Sequence, residues 1–410
     1  MAAPTYSPDH GRLLGCLLGG AIGGALGAPI EGRSLDAIRA EYGPDGLTEY
    51  AEGKHGQGTI TGETQLMMRT ARAVVQASVR ARAKGIGGAV VGLLQAGYLR
   101  WLAEPEFTGV PPLPPLPPPG TPPPPPLPPP SGPLPSTGPP PLPPSFTEAR
   151  RSVGRSTLDA LRKAEARGKP GHPLGTMDDP INDSKGSGGV VRVAPCGFGV
   201  SNAEAAFELG CRAAALTHGH PSGYLPAGVH AATVWGLVHG LEFGEALALA
   251  REQLAGHEHH QETSEALDAA ARLASEGPAT PERVETLGRG FTAPEALAIA
   301  VYVMLRAADG VPEGHWAPWK RDTLSGRHAL LRAVNHSGDS DSTGALAGNL
   351  LGARYGAAAF PGHWQVKLEI RREIIDLAAD CALEFSPDPP TEPDGYGTPS
   401  TGWLMRYPDA

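Results

Sequence analysis

Residues 335–356, NHSGDSDSTGALAGNLLGARYG, constrain the fold more than any other stretch. Asp339, Ser340, Asp341, Ser342 and Thr343 crowd carboxylates and hydroxyls together. The run 343–355 that follows reads as a helix lined with Gly344, Ala345, Ala347, Gly348, Gly352 and Ala353. A helix with so little side-chain bulk gains stability only where neighbouring helices approach it closely, so it belongs in the middle of a helical core. The oxygen donors then sit at a buried helix N-terminus, where free N–H groups and the helix dipole favour carboxylates. All-oxygen donors suit a hard divalent cation such as Mg²⁺ or Mn²⁺.

Three chemistries compete for this cluster. A calcium loop of the D-x-D-x-T-G type requires a bidentate glutamate at its twelfth position, which here is Leu350. An aspartyl nucleophile for phosphoryl transfer should follow a buried apolar strand, whereas ALLRAVNHSG reads as helix and then polar turn. A metal site completed from elsewhere in the chain remains, beside a plain N-cap with solvated aspartates.

The rest of the 410 residues carries helical spacing almost throughout, with no alternating run of useful length. The expectation is an all-α, single, compact multi-helix domain over 1–385, interrupted by a proline-rich insertion at 108–147 and followed by a mostly irregular tail at 386–410. In 111–144, 22 of 34 residues are proline. Such a run reads as polyproline II in a tolerated surface insertion, or as a ligand for proline-recognising modules. The net charge of −9 and the absence of a dense basic run argue against nucleic acid as the main partner. Four scattered cysteines read as free thiols in a reducing, cytoplasmic compartment of a bacterial kind of chain. The uncharged stretch 13–30 approaches the length of a membrane span and spaces glycines at 15, 19, 23 and 27, but it has no basic leader and no companion span. It is read as a buried core helix, with no membrane role. The HEHH run at 257–260 is read as a solvated helix end.

Four polar islands interrupt the apolar helices: Glu31, the turn 61–64, the loop 182–192 with His218, and 339–343. Thr61, Glu63, Asp339, Asp341 and Ser342 could fill an oxygen site with waters.

Taken in order, these islands resemble the ADP-ribosylglycohydrolase family. SGDSDSTGALAGNLLGARYG is similar to its Gly-Asp-x-Asp-[Thr/Ser] metal motif, and GCLLGGAIGGALGAPIE to its first helix and acidic residue. ITGETQLMMRTA resembles its Thr-Asp-Asp-Thr-Gln turn, NDSKGSGGVVRVAP its Ser-x-Gly-Asn-Gly loop, and LTHGHPSG its histidine turn. The resemblance implies an all-α fold with a binuclear Mg²⁺ or Mn²⁺ centre. The implied activity is hydrolysis of the bond between ADP-ribose C1″ and a protein side chain or small acceptor. Thr61, Glu63, Asp339, Asp341 and Ser342 would then ligate metal, with Glu31 at the same centre. Asp339, Glu63 and Glu31 are the candidates for taking a proton from water. Ser184, Gly186, Gly188 and His218 would line the ADP-ribose, glycine allowing close approach of phosphate oxygens. The implied partner is an ADP-ribosylated protein or a small ADP-ribosyl conjugate. Three positions depart from the pattern: Gly62 and Glu63 stand where the family has two successive aspartates, Glu63 one methylene longer, and Ser187 stands in place of asparagine. Gly62 raises a second reading, a weakened or silent ADP-ribose-binding protein of the same fold. An aspartate restored there is expected to strengthen metal binding.

Overall fold

The computed structural model describes residues 7–408, except 54–55, 107–148, 168–173, 312–316 and 394–396. The proline-rich segment and what it binds therefore lie outside the described residues. Among the described residues, sixteen α-helices follow in order. The first five are α1 His10–Gly27, α2 Leu35–Tyr42, α3 Gly62–Lys84, α4 Val90–Leu102 and α5 Arg155–Arg167. Next come α6 Ala203–Ala215, α7 Pro221–Val238, α8 Phe243–Ala255, α9 Gln261–Ser275, α10 Pro281–Glu285 and α11 Ala293–Leu305. The last are α12 Pro318–Val334, α13 Ser340–Tyr355, α14 Gly362–Lys367, α15 Arg371–Glu384 and α16 Thr401–Arg406. No strand occurs among the described residues, only isolated bridges, as the helical spacing predicts.

The core is built on α1 against α13. The two run antiparallel with backbones nearly in contact. A Cβ added at Gly15 would lie 2.3 Å from the carbonyl oxygen of Gly352, one at Gly19 2.0 Å from that of Gly348, and one at Gly23 1.9 Å from that of Gly344. The small residues of both stretches are thus two halves of one interface. The apolar stretch that could pass for a membrane span is interior to the domain, with Leu13, Leu17, Ile22 and Leu26 fully buried.

This pairing fixes the site. Because the helices are antiparallel, the C-terminal end of α1 meets the N-terminal end of α13. The chain leaving α1 makes one 3₁₀ turn, and Gly32 donates its N–H to the carbonyl of Gly338 at 2.7 Å. Glu31 is thereby held against Asp339 and Asp341. A second tie, Asp339 N–H to Arg289 O at 2.8 Å, brings the α10–α11 loop to the same place.

Two flanking segments differ from the sequence pattern. The run TEARRSVGRSTLDALRK reads as one helix, but 149–154 is irregular and α5 starts only at Arg155, after Gly154. Arg150 donates its N–H to Pro105 O at 2.8 Å and pairs with Glu106 at 2.9 Å, so the flanks of the proline-rich insertion stand side by side. Near the C-terminus, α16 docks on the domain. Arg406 and the Tyr407 hydroxyl both reach Asp380 at 2.6 Å, and Trp403 donates to Glu384 at 2.8 Å. The tail composition does not signal this docking.

Candidate metal and ADP-ribose site

Helix α13 starts earlier than its sequence suggests, at Ser340, so Asp341 and Ser342 lie in its first turn. Asp339 is the N-cap residue, but its carboxylate makes no capping bond. It accepts instead from Ser187 Oγ at 2.6 Å, and Ser342 Oγ lies 3.5 Å from that same hydroxyl. The plain N-cap reading of the cluster therefore fails for Asp339. Thr343 explains why the turn is rigid: its hydroxyl lies 2.7 Å from Ala333 O and 2.9 Å from Asp339 O, and His336 Nε2 is 2.9 Å from it.

Carboxylate oxygens of Glu31, Asp339 and Asp341 gather within 4.8 Å of one another. Glu63 and Ser342 line the same pocket, about 360 Å³ in volume, which is within the range of small-ligand sites. Among the described residues, none of the four carboxylates is ion-paired, and Arg155 is the one arginine or lysine lining the pocket. Burial raises Glu63 to about 7, the charges of Asp339 and Glu31 adding to it while hydrogen bonds from its own backbone and the Thr61 hydroxyl oppose it. Asp341 is held well above the usual carboxylate range, by burial first and then by the charges of Asp339, Glu63 and Glu31. Glu31 is exposed at the rim by area, yet crowded enough that burial, with Asp339, raises it as well. A buried group of like charges with oxygen donors and no ion pairs is what a hard divalent cation neutralises, so the donor set fits Mg²⁺ or Mn²⁺.

The α3 turn contributes less than its sequence suggests. Thr61 is the N-cap of α3; its Oγ1 accepts from the N–H of Thr64 at 3.2 Å, and it does not line the pocket. Gly62 has helical backbone, so the bar to a side chain there is contact rather than backbone sign. An added Cβ would meet Ser152 O at 2.4 Å, Val153 Cγ1 at 2.4 Å and Arg151 O at 2.9 Å. The expected gain from an aspartate at 62 is therefore overturned: there is no space for it.

The opposite wall is the glycine loop. Gly186, Ser187 and Gly188 line it, with His218 behind them. A Cβ at Gly188 would press on Thr157 Oγ1 at 3.0 Å and His218 Cε1 at 3.2 Å, so the loop can lie this close only without side chains. His218 is buried, with Nδ1 2.8 Å from Thr217 Oγ1; burial, and then the Arg192 charge, lowers it to about 3, so it is neutral. Ser184 does not line the pocket. Its hydroxyl donates to Ser156 Oγ at 2.9 Å and accepts from Gly186 N–H at 3.3 Å, which braces the loop from behind. The HEHH run lies between α8 and α9 and is not part of this pocket's lining; His257 stacks on Phe207 and His260 contacts Ser264.

Sequence reasoning missed three contributors. The segment 152–156, Arg155 included, forms one wall; its signal was Gly154, a breaker inside a helical pattern. Phe291, 44% exposed, lines the mouth, and its carbonyl accepts from Ser187 N–H at 3.1 Å. Arg192, fully buried under Tyr98, donates to Gly188 O at 3.0 Å and also to Thr217, tying the loop to the histidine turn. Nothing in its sequence surroundings marks it.

The chain was then compared with known proteins. Residues 6–390 match the model of the ADP-ribosylglycohydrolase family. The ADP-ribosylhydrolase ARH3 of Mus musculus is 29% identical over 221 residues, which cover 49% of this chain and 58% of that protein. The ADP-ribosyl-[dinitrogen reductase] glycohydrolase of Rhodospirillum rubrum is 44% identical over 64 residues, 14% of this chain and 22% of that protein. The chain thus spans less than two thirds of the length of these relatives. A solved structure described as an ADP-ribosylglycohydrolase-related protein complex superimposes with a TM-score of 0.58 at 24% identity, covering 92% of this chain and 99% of that one, a likeness of fold. With the family model spanning nearly all of it, the chain belongs to the ADP-ribosylglycohydrolase family.

Proposed function

We propose that this protein is a metal-dependent hydrolase that cleaves the glycosidic bond between ADP-ribose and a protein side chain or small acceptor. One observation carries the reading: Glu31, Asp339 and Asp341 converge within 4.8 Å at one end of a pocket whose other wall is the glycine loop 186–188. The relatives support it by name, one being an ADP-ribosylarginine hydrolase of Pseudomonas putida, 37% identical over 65 residues.

Glu31, Asp339 and Asp341, with Ser342 beside them, would hold Mg²⁺ or Mn²⁺. Such an ion supplies charge stabilisation at the ribose hydroxyls and a lowered pKa for bound water. The protein's own residues divide the remaining work. Backbone around Gly186 and Gly188 meets the diphosphate, and Arg155 adds a positive charge on that side. Neutral His218 packs beneath the loop. Departure from C1″ develops oxocarbenium character, which the surrounding carboxylates favour electrostatically. Glu63, half-buried at the pocket beside the group of three carboxylates, is suited to accept a proton from the attacking water. Four unpaired cysteines, all buried, accord with a reducing, cytoplasmic setting.

A second reading, an ADP-ribose binder without turnover, draws on the filled space beside Gly62. Release of free ADP-ribose from modified arginine and modified serine proteins, with and without chelator, separates the two. Metal-dependent release supports the hydrolase. Tight ADP-ribose binding with no release supports the binder.

A further inference from the structure

We infer that the acidic centre of this chain takes one divalent ion, because the wall segment 151–153 fills the volume from which a second ion's ligand would come. The inference rests on the metal reading above and goes beyond it in fixing the ion's number.

Two divalent ions in one hydrolytic centre lie ~3.5–4 Å apart and need carboxylates on both flanks. Here three carboxylates, Glu31, Asp339 and Asp341, form one tight group, compatible with a single coordination sphere. The flank toward α3 is where a second ion would sit. On that flank Glu63 lines the pocket, whereas Gly62 beside it offers no side chain, and the space next to it holds Ser152 O and Val153 Cγ1, each 2.4 Å from where a Cβ would be. Glu63 stands outside the tight group of three and takes a hydrogen bond from Thr61.

The wall is anchored. Arg151 donates its N–H to Gln65 Oε1 at 2.8 Å, and Trp101 Nε1 donates to the same oxygen at 2.8 Å. The Arg151 guanidinium pairs with Glu369 at 2.8 Å, and Glu369 in turn accepts from Ile60 N–H at 2.9 Å. The first turn of α3 and the wall are therefore held together from both sides. Moving the wall aside breaks buried hydrogen bonds at Gln65, which is 2% exposed. On the glycine-loop side, Ser187 Oγ donates to Asp339 Oδ2 at 2.6 Å and takes one of that oxygen's two lone pairs.

The test is a Mn²⁺ titration of the chelator-stripped, full-length protein, followed by calorimetry and by electron paramagnetic resonance. The expected result is one ion per chain at saturation, with no spin-coupled dimanganese signal. Two ions per chain would overturn this inference while leaving the metal reading intact; no bound ion would overturn both. Gly62→Asp gives a second measurement. It should melt below the native protein and still bind one ion. A Gly62→Asp protein with native melting temperature and two bound ions would show that the wall does not close the second position.

Discussion

The hydroxyl of Ser187 donates to Asp339 Oδ2 at 2.6 Å, joining the glycine loop to the carboxylate that opens α13. One bond thus couples the glycine-loop side of the pocket to the acidic side. It also gives the serine that replaces the family's asparagine a definite contact, holding a carboxylate of the acidic group. Partners of this kind contribute about 10–100-fold to metal affinity or activity. Ser187→Ala should weaken Mn²⁺ binding by about that factor, measured by calorimetry, without lowering the melting temperature of the ion-free protein appreciably. Unchanged affinity would mean that Asp339 is oriented by its backbone alone.

Close packing of α1 on α13 should control the site from a distance. A Cβ at Gly348 would lie 1.9 Å from Gly19 O, so Gly348→Ala must push the helices apart. Overpacking of this sort costs about 1–3 kcal/mol or more, about 1 °C per kcal/mol in a chain of this size. The melting temperature should fall by about 1–4 °C. Mn²⁺ affinity should fall with it, since Glu31 follows the end of α1 and Asp341 lies in the first turn of α13. A variant with lowered stability and native affinity would separate the interface from the site.

Ionisation of Glu63 should be visible in stability when metal is removed. Its folded pKa is about 7, above the usual carboxylate value of the unfolded chain. Between the two, the native state holds a proton that the unfolded state has lost. That contribution is fully present below the unfolded pKa and is lost as pH rises through about 7. Glu63→Gln stays neutral, so in chelator it should match wild type near pH 5 and melt higher above pH 7. Buried His218, lowered to about 3, and His336, lowered to about 4, act in the other direction, losing stability as pH falls below ~6.5. They are common to both proteins and cancel in the difference. A difference curve flat from pH 5 to 8 would contradict the placement of Glu63.

Among the described residues, Arg155 has no ion-pair partner and is the one arginine or lysine at the pocket. A charge-assisted hydrogen bond contributes about 1.5–3 kcal/mol, less at an exposed position. Arg155→Ala should therefore weaken ADP-ribose binding about tenfold, and leave the number of bound metal ions as it was. Calorimetry with ADP-ribose reads both. Native affinity in the variant would remove Arg155 from the diphosphate side.

The helical fold and the acidic end of the site were legible because each rests on local signals. Small residues spaced along 11–28 and 343–355 announce close helix contact, and Asp339 and Asp341 mark a helix start. What the sequence hid is tertiary. Thr61 Oγ1 caps α3 and Thr61 lies outside the pocket lining, a placement that its motif does not show. Ser184 looks like a pocket residue, but it braces the loop from behind. The wall 152–156 depends on how the chain re-enters after the proline-rich segment, which helical periodicity does not encode. Gly62 was read as a missing ligand, whereas its hydrogen leaves space for Ser152 and Val153. Arg192, which ties the glycine loop to the histidine turn, carries no pattern at all.

The central claim is metal-dependent release of ADP-ribose, and the most direct measurement is the amount of free ADP-ribose liberated from arginine- or serine-modified protein by the purified chain. With Mn²⁺ or Mg²⁺ present, the account predicts steady release that stops on adding chelator and is absent in Asp341→Ala, which also loses metal binding. Release that continues undiminished in chelator would contradict the metal centre, and a metal-loaded protein that binds ADP-ribose yet liberates none from either substrate would contradict the hydrolase.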